Sequence, residues 1–352
     1  MNKNLTLVFF SIFLSILFIE IFLRVIGLYS DLANTVLEPS TSIYEKPKNS
    51  FQRHKHPDLH YVNSNYFDLE GVKNKKKIIT SKKKNIIGMF GDSMIENYAV
   101  DSEFDFSNIL NTKIINYEVV NYGVGGYQAE QVFLRYIKYK DHDLKYVFYL
   151  FMPGDQESYG LLTFNDSGEY IINKIKINPV FKILGKLNIT YLSINSYLNF
   201  RSLIYDDYTT IDKNNYAQLL ANRIAKKQLK SEGKDIMHFS RLIETFQKNV
   251  EFNSAEFFVI LYPDSDHINY FKEALKLRNL KVNYFILDDL LMTDKKFQFK
   301  NDSHWNELGN LEFAKNIEFL LKNNLQINFS DQNNYQIIER KIANFYKSQK
   351  LK

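Results

Sequence analysis

Two short stretches of the chain carry residues that could perform nucleophilic chemistry. Ser93 comes shortly after the apolar run 85–90, so we expect its hydroxyl where a buried strand ends in a turn. Asp302 and His304 lie near the other end of the chain. A serine hydroxyl becomes a strong nucleophile when a histidine takes its proton and a carboxylate orients that histidine. The sequence therefore predicts a catalytic set of Ser93, His304 and Asp302.

Strands and helices must position these groups, and the hydrophobic pattern predicts both in alternation. Strand-length apolar runs occur at 85–90, 119–123, 146–152, 257–262 and 282–287. Helical periodicity occurs at 104–110, 129–139, 239–250 and 268–277, and again after His304. This order predicts an α/β fold, namely a flavodoxin-like, doubly wound parallel sheet of five strands in a three-layer α/β/α arrangement. In such a sheet, polar groups that follow the strands meet at their carboxyl ends.

The same pattern divides the chain into an anchor, a tether, one catalytic domain and a tail. We expect a transmembrane anchor at 1–28, a tether at 29–84, the domain at 85–325 and a polar tail at 326–352. The stretch 156–233 is too long for a simple crossover and begins with a predicted hairpin. It is interpreted as a cap that overhangs the carboxyl ends of the strands and sets substrate choice.

The first 28 residues are apolar enough to predict a single uncleaved membrane helix. The run from Leu5 to Leu28 is interrupted only by a few residues, among them Glu20 and Arg24. These two lie four residues apart and can pair on one helical face. No small-residue cleavage site follows, which favours an anchor over a removed signal peptide.

Composition excludes several other classes of protein. The 352 residues carry a net charge of only +5 and contain no cysteine, so neither a disulfide framework nor a thiol site is predicted. The lysine-rich stretch 73–84 is interpreted as a solvated loop, with a polyanion-binding patch as the alternative. Three histidines at 54, 56 and 60 lack acidic or thiol partners at a familiar spacing. The sequence predicts no metal, no cofactor and no nucleic-acid partner.

The order of these motifs resembles the SGNH (GDSL-type) hydrolase family over roughly residues 85–325. The resemblance rests on Gly-Asp-Ser at 91–93, the glycine turn at 123–126, Asp155 after the third strand, and Asp302-x-His304. It implies acyl transfer through Ser93, with the oxyanion held by backbone N–H groups of Ser93 and Gly126. It also implies an extracytoplasmic, periplasmic domain on a single-pass anchor.

The chain departs from the family at one oxyanion position. Where the family has Asn-Asp after the third strand, this sequence has Gly154-Asp155. The asparagine side chain that would donate to the oxyanion is therefore missing. Gly154 stays a candidate through its backbone N–H, and Asp155 is expected beside the substrate. If φ at Gly154 is negative, restoring an asparagine there is expected to raise the turnover rate.

A second histidine competes with His304 for the role of base. Asp264-x-x-His267 has the spacing that is common in the family, but it follows the fourth strand, whereas His304 immediately precedes the last helix. We therefore prefer His304. Its Asp-x-His-Trp setting is similar to the loop of alginate-type O-acetyltransferases, which places Trp305 either at the wall of an acyl pocket or as a packing anchor for the closing helix.

Three functions fit these residues. The first is a membrane-anchored serine esterase that acts on acetyl esters, including carbohydrate esters, by an acyl-enzyme mechanism. The second is an O-acyltransferase that modifies a cell-surface glycan, in which a sugar hydroxyl replaces water. The third is a non-catalytic, glycan-binding protein on a degenerate hydrolase fold, favoured by the missing asparagine and disfavoured by the complete set of serine, histidine and aspartate.

Overall fold

The structure is a computed structural model, and it describes most of the chain. The described residues are 3–25, 36–37, 43–46, 50–55, 57–59, 62–68, 72–73, 85–165, 169–174, 235–300, 302–330 and 334–350.

The secondary structure follows the alternation that the sequence predicts. The strands are β1 (Val36–Leu37), β2 (Tyr44–Glu45), β3 (Ser50–Lys55), β4 (Val62–Phe67), β5 (Asn85–Phe90), β6 (Tyr117–Asn121), β7 (Leu144–Phe151), β8 (Leu162–Phe164), β9 (Tyr170–Ile172), β10 (Glu256–Leu261), β11 (Asn283–Ile286), β12 (Gln298–Phe299) and β13 (Asp302–Trp305). The helices are α1 (Lys3–Val25), α2 (Ser93–Glu96), α3 (Phe106–Asn111), α4 (Ala129–Tyr139), α5 (Ile236–Phe252), α6 (Ser265–Leu277), α7 (Leu290–Thr293), α8 (Glu307–Leu325) and α9 (Asn334–Lys350).

Five parallel strands form the central sheet, in the order β11-β10-β7-β5-β6. Read from the β6 edge and numbered by their appearance in the chain, these strands run 2-1-3-4-5, which is the flavodoxin-like order. The winding direction reverses at β5, because the chain goes first to β6 at one edge and then to β7 on the other side. The predicted parallel five-stranded α/β fold is confirmed, and the switch point lies where Ser93 follows β5.

Helices cover both faces of this sheet and bury two apolar clusters. One cluster joins α4, α5 and α6 to one face, with Phe133, Phe246 and Phe271 fully buried. The other joins α3 and α8 to the opposite face, where Leu110 and Ile317 are buried. β7, at the centre of the sheet, is apolar along nearly its whole length because both of its faces are covered.

The segment that was interpreted as a tether contributes buried residues to the domain. β3 and β4 pair in antiparallel fashion. Lys73 then forms single antiparallel β-bridges with Phe67 of β4 and with Asn121 of the edge strand β6. Asn65 and Phe67 are buried, as is Lys73, which belongs to the lysine-rich stretch expected to be solvated. The solvated interpretation is therefore wrong for Lys73. Residues 74–84, like His56 and His60, lie outside the described residues.

The N-terminal helix α1 carries a row of exposed apolar side chains between Leu7 and Phe22. Within the described ranges, no helix was found that is long and apolar enough to cross a membrane. The single-pass anchor at 1–28 stays a prediction.

The predicted hairpin at the start of the cap is present as β8 and β9, which pair in antiparallel fashion. The rest of the expected cap, including a predicted helix near 216–229, lies outside the described residues. At the other end of the chain, the expected polar tail contributes to the core. Ile327 and Phe329 are buried, and α9 packs on the domain through Ile342.

Candidate active site

The nucleophile turn is built where β5 ends at the switch point of the sheet. Asp92 caps α2, since its Oδ1 accepts a hydrogen bond of 2.9 Å from the N–H of Met94. Ser93 is the first residue of that helix and is half-buried. A Cβ atom on Gly91 would lie 2.7 Å from a side-chain carbon of Ile95, so glycine is the residue that fits this close approach between the end of β5 and α2. The hydroxyl of Ser93 is thereby presented at the strand's carboxyl end.

The structure brings Ser93, His304 and Asp302 together. His304 Nε2 lies 2.7 Å from Ser93 Oγ. The other ring nitrogen, Nδ1, makes a short hydrogen bond with Asp302 Oδ1, and the same oxygen accepts the backbone N–H of His304 at 3.0 Å. The side chains of His304 and Asp302 are 22% and 20% exposed, so the site is open to a substrate. This is the arrangement of a nucleophile, its base and the orienting carboxylate.

A tyrosine, Tyr98, is also part of this arrangement. Its hydroxyl donates a hydrogen bond of 3.0 Å to Asp302 Oδ2, the oxygen that His304 does not use. Its ring meets the His304 ring edge to face, with centroids 5.3 Å apart. No residue pattern marks Tyr98, because it follows α2 in an irregular turn and reaches Asp302 only through the tertiary fold.

Two glycines of the expected oxyanion site have positive φ angles. φ is +76° at Gly126 and +106° at Gly154, a region that side-chain-bearing residues rarely adopt. The N–H of Gly154 donates a hydrogen bond of 2.9 Å to Gln156 Oε1. The condition for a gain from an asparagine, a negative φ at Gly154, is therefore not met. Gly154 adopts a backbone conformation that asparagine rarely adopts, so the higher turnover rate expected from an asparagine at this position no longer follows.

The three carboxyl groups near Ser93 differ in their tendency to ionise. Burial acts to raise the pKa of Asp302, but hydrogen bonds and charge from His304 outweigh it and leave that pKa below its usual value. Burial raises the pKa of Asp92 to about 6. Burial, together with the charge of Asp92, raises the pKa of Asp155 well above its usual value. Asp302 is thus ionised beside the histidine at neutral pH.

Asp155, which was expected beside the substrate, and Trp305, which was expected either at an acyl pocket or as a packing anchor, are both buried. Asp155 is 3% exposed, and its Oδ2 accepts hydrogen bonds of 3.0 Å from the Tyr149 hydroxyl and from the N–H of Met152. Trp305 is 1% exposed and packs on Phe313 with ring centroids 4.7 Å apart. The carboxyl group of Asp155 shapes the turn after β7, and the indole of Trp305 anchors α8 to the core. In this structure neither side chain is placed to contact a substrate.

The competing histidine has a different environment. His267 is 5% exposed, and its Nε2 donates a hydrogen bond of 2.8 Å to the carbonyl of Phe151. Its nearest aspartate, Asp264, caps α6 by accepting the backbone N–H of His267 at 2.9 Å. Burial lowers the pKa of His267, which keeps the ring neutral. The structure does not bring it to Ser93.

Among the described residues, no group of histidine, aspartate and glutamate side chains is arranged to hold a metal ion.

Comparisons with known proteins give eleven similar chains among the solved structures, including the two below. No family model matches the chain, and no curated protein matches it. A protein from Desulfitobacterium hafniense DCB-2, described as a lipolytic protein of the G-D-S-L family, is 12% identical with a TM-score of 0.37; the match covers 68% of this chain and 100% of that one. An acetyl xylan esterase, Est2A, from the rumen bacterium Butyrivibrio proteoclasticus is 12% identical with a TM-score of 0.34, over 69% of this chain and 65% of that one. Both TM-scores lie below 0.5.

Proposed function

We propose that this protein is a serine esterase that cleaves acyl esters through a covalent acyl-enzyme. The observation that carries the proposal is the contact of 2.7 Å between His304 Nε2 and Ser93 Oγ, with Asp302 on the opposite ring nitrogen. A histidine that is bonded on one side to an ionised carboxylate and on the other to a serine hydroxyl is placed to accept the serine's proton. The non-catalytic alternative gives no reason for these three side chains to meet.

The reaction follows from this geometry. Ser93 Oγ attacks the ester carbonyl while its proton passes to His304 Nε2. The tetrahedral intermediate collapses when the imidazolium returns that proton to the departing alcohol oxygen, which leaves the acyl group on Ser93. Water then attacks the acyl-enzyme, His304 takes a proton from the water, and the free acid leaves with the serine restored. Asp302 orients the ring and stabilises its charged form throughout.

Backbone N–H groups hold the oxyanion in this proposal. The N–H of Ser93 lies at the first position of α2, where no helical partner exists for it. Gly126 supplies the second donor from the glycine turn. The N–H of Gly154 donates to the Gln156 amide oxygen, so it becomes a third donor when that oxygen moves away. Three main-chain donors would compensate for the missing asparagine.

The ester, the acceptor and the location belong to the same proposal. An acetyl ester of a carbohydrate is the proposed substrate. If a glycan hydroxyl replaced water in the second half of the reaction, the same residues would make an O-acyltransferase. Membrane association through α1, whose apolar side chains are exposed, and an extracytoplasmic domain belong to this proposal.

The proposal is tested with the purified full-length chain and acetylated model esters. Acetate release is measured with and without acceptor glycans, for the wild type and for Ser93→Ala. We expect acetate release by the wild type alone, and none above background by the variant. Acetyl transfer to the glycan without acetate release would instead support the acyltransferase. Equal acetate release by the wild type and Ser93→Ala would contradict the esterase.

A further inference from the structure

We propose that two residues outside the triad, Lys73 and Tyr98, are positioning residues for it. The ammonium group of Lys73 holds the turn 97–100, and the Tyr98 hydroxyl on that turn holds the carboxylate of Asp302. This inference rests on the proposed function and extends it, because it assigns part of the active site to the segment that precedes the central sheet.

Lys73 is buried and makes its contacts with main-chain oxygens at the end of α2. Its Nζ lies 2.7 Å from the carbonyl oxygen of Asn97, 3.0 Å from that of Glu96 and 3.5 Å from that of Val100. Asp105 Oδ2 lies 3.3 Å away and balances the charge. A buried ammonium group is stable only when it is paired and hydrogen-bonded. Lys73 meets both conditions, and it binds the carbonyls that α2 leaves without helical partners.

The turn that these carbonyls belong to is a specific conformation. Asn97 ends α2 with φ +51° and ψ +46°, and its N–H donates to the Ser93 carbonyl at 3.0 Å. Asn65 Nδ2 donates a hydrogen bond of 2.7 Å to the Tyr98 carbonyl. Lys73 and Asn65 both come from the segment before the sheet, so that segment fixes the backbone of the turn from two sides. The direction of the Tyr98 side chain follows from this backbone.

Tyr98 then fixes the carboxylate. Its hydroxyl donates to Asp302 Oδ2 at 3.0 Å, while Oδ1 serves His304. With both oxygens bound, the carboxylate cannot rotate about its last bond without losing a hydrogen bond. The His304 ring is held by the same contacts, because the Tyr98 ring packs against it edge to face.

The segment before the sheet also contacts the loop that carries Asp302. Asp58 accepts the backbone N–H of Lys300, with its two carboxylate oxygens at 2.9 and 3.0 Å. Lys300 lies two residues before Asp302. Lys46, from the same segment, pairs with Glu96 of α2 at 2.6 Å. One segment therefore contacts both α2, which begins with Ser93, and the loop that carries Asp302. These two elements are about 200 residues apart in the chain. The segment is placed to set the distance between Ser93 and His304.

The expected effect is on the rate of reaction rather than on substrate binding. A displacement of about 1 Å at a catalytic group can cost about 100-fold in rate. Neither Lys73 nor Tyr98 acts on the substrate in this proposal, so kcat should fall while KM changes little.

The test measures how fast a fluorophosphonate labels Ser93 in the full-length chain. The variants are Lys73→Met, Tyr98→Phe and the two combined. Lys113→Met is the matched control, because Lys113 is also buried and paired, with Glu318 of α8 at 2.7 Å, and its Nζ lies over the Tyr335 ring of α9 rather than against the turn 97–100. The final extent of labelling counts folded protein, and the rate constant reports the reactivity of Ser93. If Lys73→Met does not fold, Asn65→Leu, which removes the other donor to the turn, takes its place.

We expect Lys73→Met and Tyr98→Phe each to lower the labelling rate constant and kcat by about 10-fold or more, with KM within about twofold. Lys113→Met should label at the wild-type rate. The double variant should be no slower than the slower single variant, because both act through Asp302. Wild-type rates in either single variant, or losses that multiply in the double variant, would overturn the inference. An unlabelled wild type would instead overturn the proposed function itself, and this inference with it.

Discussion

Two loops of this protein each bring an aspartate and a histidine to the region around the carboxyl ends of the strands, yet they use them differently. In the loop after β10, Asp264 caps α6 and His267 is buried against β7. In the loop before α8, Asn306 caps the helix instead, by accepting the N–H of Gly309 at 3.0 Å. Asp302 is thereby left to bind the His304 ring.

The difference teaches what the spacing of such pairs does and does not determine. An aspartate three residues before a histidine is also the spacing of a helix N-cap and the N–H that it accepts, and this is how Asp264 and His267 are related. The separation of two residues in Asp302-x-His304 lets one oxygen accept both the backbone N–H and the ring of the histidine. Asp264 is used as the cap of α6, whereas Asn306 caps α8 and leaves Asp302 available for catalysis.

The largest expected effect comes from the nucleophile that the His304 loop serves, compared with a serine of the His267 loop. Ser93→Ala should lower ester hydrolysis by about 10⁴-fold or more, because no other group forms the acyl-enzyme. Ser265→Ala, a change at an exposed serine that begins α6, should leave the rate unchanged. Initial rates with an acetyl ester check both. Similar losses in the two variants would contradict Ser93 as the nucleophile.

The aspartates should differ next. Asp302→Asn should lower kcat by about 10²- to 10⁴-fold, because an amide can favour the wrong ring tautomer of His304. Asp264→Asn should have little effect, since asparagine caps helices about as well as aspartate does. The two variants are compared by kcat, with circular dichroism as the control for folding. A large loss from Asp264→Asn would show that the cap of α6 matters for catalysis.

Gly154 tests the turn that follows β7, whose last carbonyl is the one held by His267. With φ at +106°, Gly154→Asn should destabilise the protein by about 1 to 3 kcal/mol through backbone strain, and it should not raise kcat. Gly154→Ala should have a similar cost. Thermal unfolding and ester turnover check this. A tenfold rise in kcat for Gly154→Asn alone would show that the asparagine restores a donor.

The smallest effect concerns pH. Because burial lowers the pKa of His267, the unfolded chain binds this proton more readily than the folded chain does. Stability is therefore lost as the pH falls below about 6.5, the ordinary histidine pKa. His267→Gln, which can still donate to the Phe151 carbonyl, should remove this loss. As the pH falls from 8 to 5, the melting temperature of His267→Gln should therefore approach or exceed that of the wild type. Parallel curves would contradict the assigned environment of His267.

Much of the fold and the chemical groups of the site could be predicted from the sequence. Apolar runs and helical periodicity indicated the five strands, because burial on both faces imposes a continuous apolar pattern. Ser93, His304 and Asp302 were identifiable because few residue types can act as nucleophile, base and orienting acid.

The supporting residues were not predictable, for a physical reason. Tyr98 and Lys73 act through contacts with residues distant in the chain, and their immediate neighbours carry no periodic pattern. Lys73 also lies in a lysine-rich stretch, which is typical of solvated loops, so its burial contradicts the local composition. Trp305 and Asp155 were expected at the site, and their burial depends on how α8 and the turn after β7 pack.

The central claim is that His304, and not His267, activates Ser93. It is tested most directly by the rate at which a fluorophosphonate labels Ser93 in His304→Gln and in His267→Gln, with peptide mapping to identify the labelled serine. We expect His304→Gln to lower the rate constant by about 10³-fold or more. His267→Gln should label at close to the wild-type rate. Rapid labelling of Ser93 in His304→Gln, with loss of labelling in His267→Gln, would contradict the account.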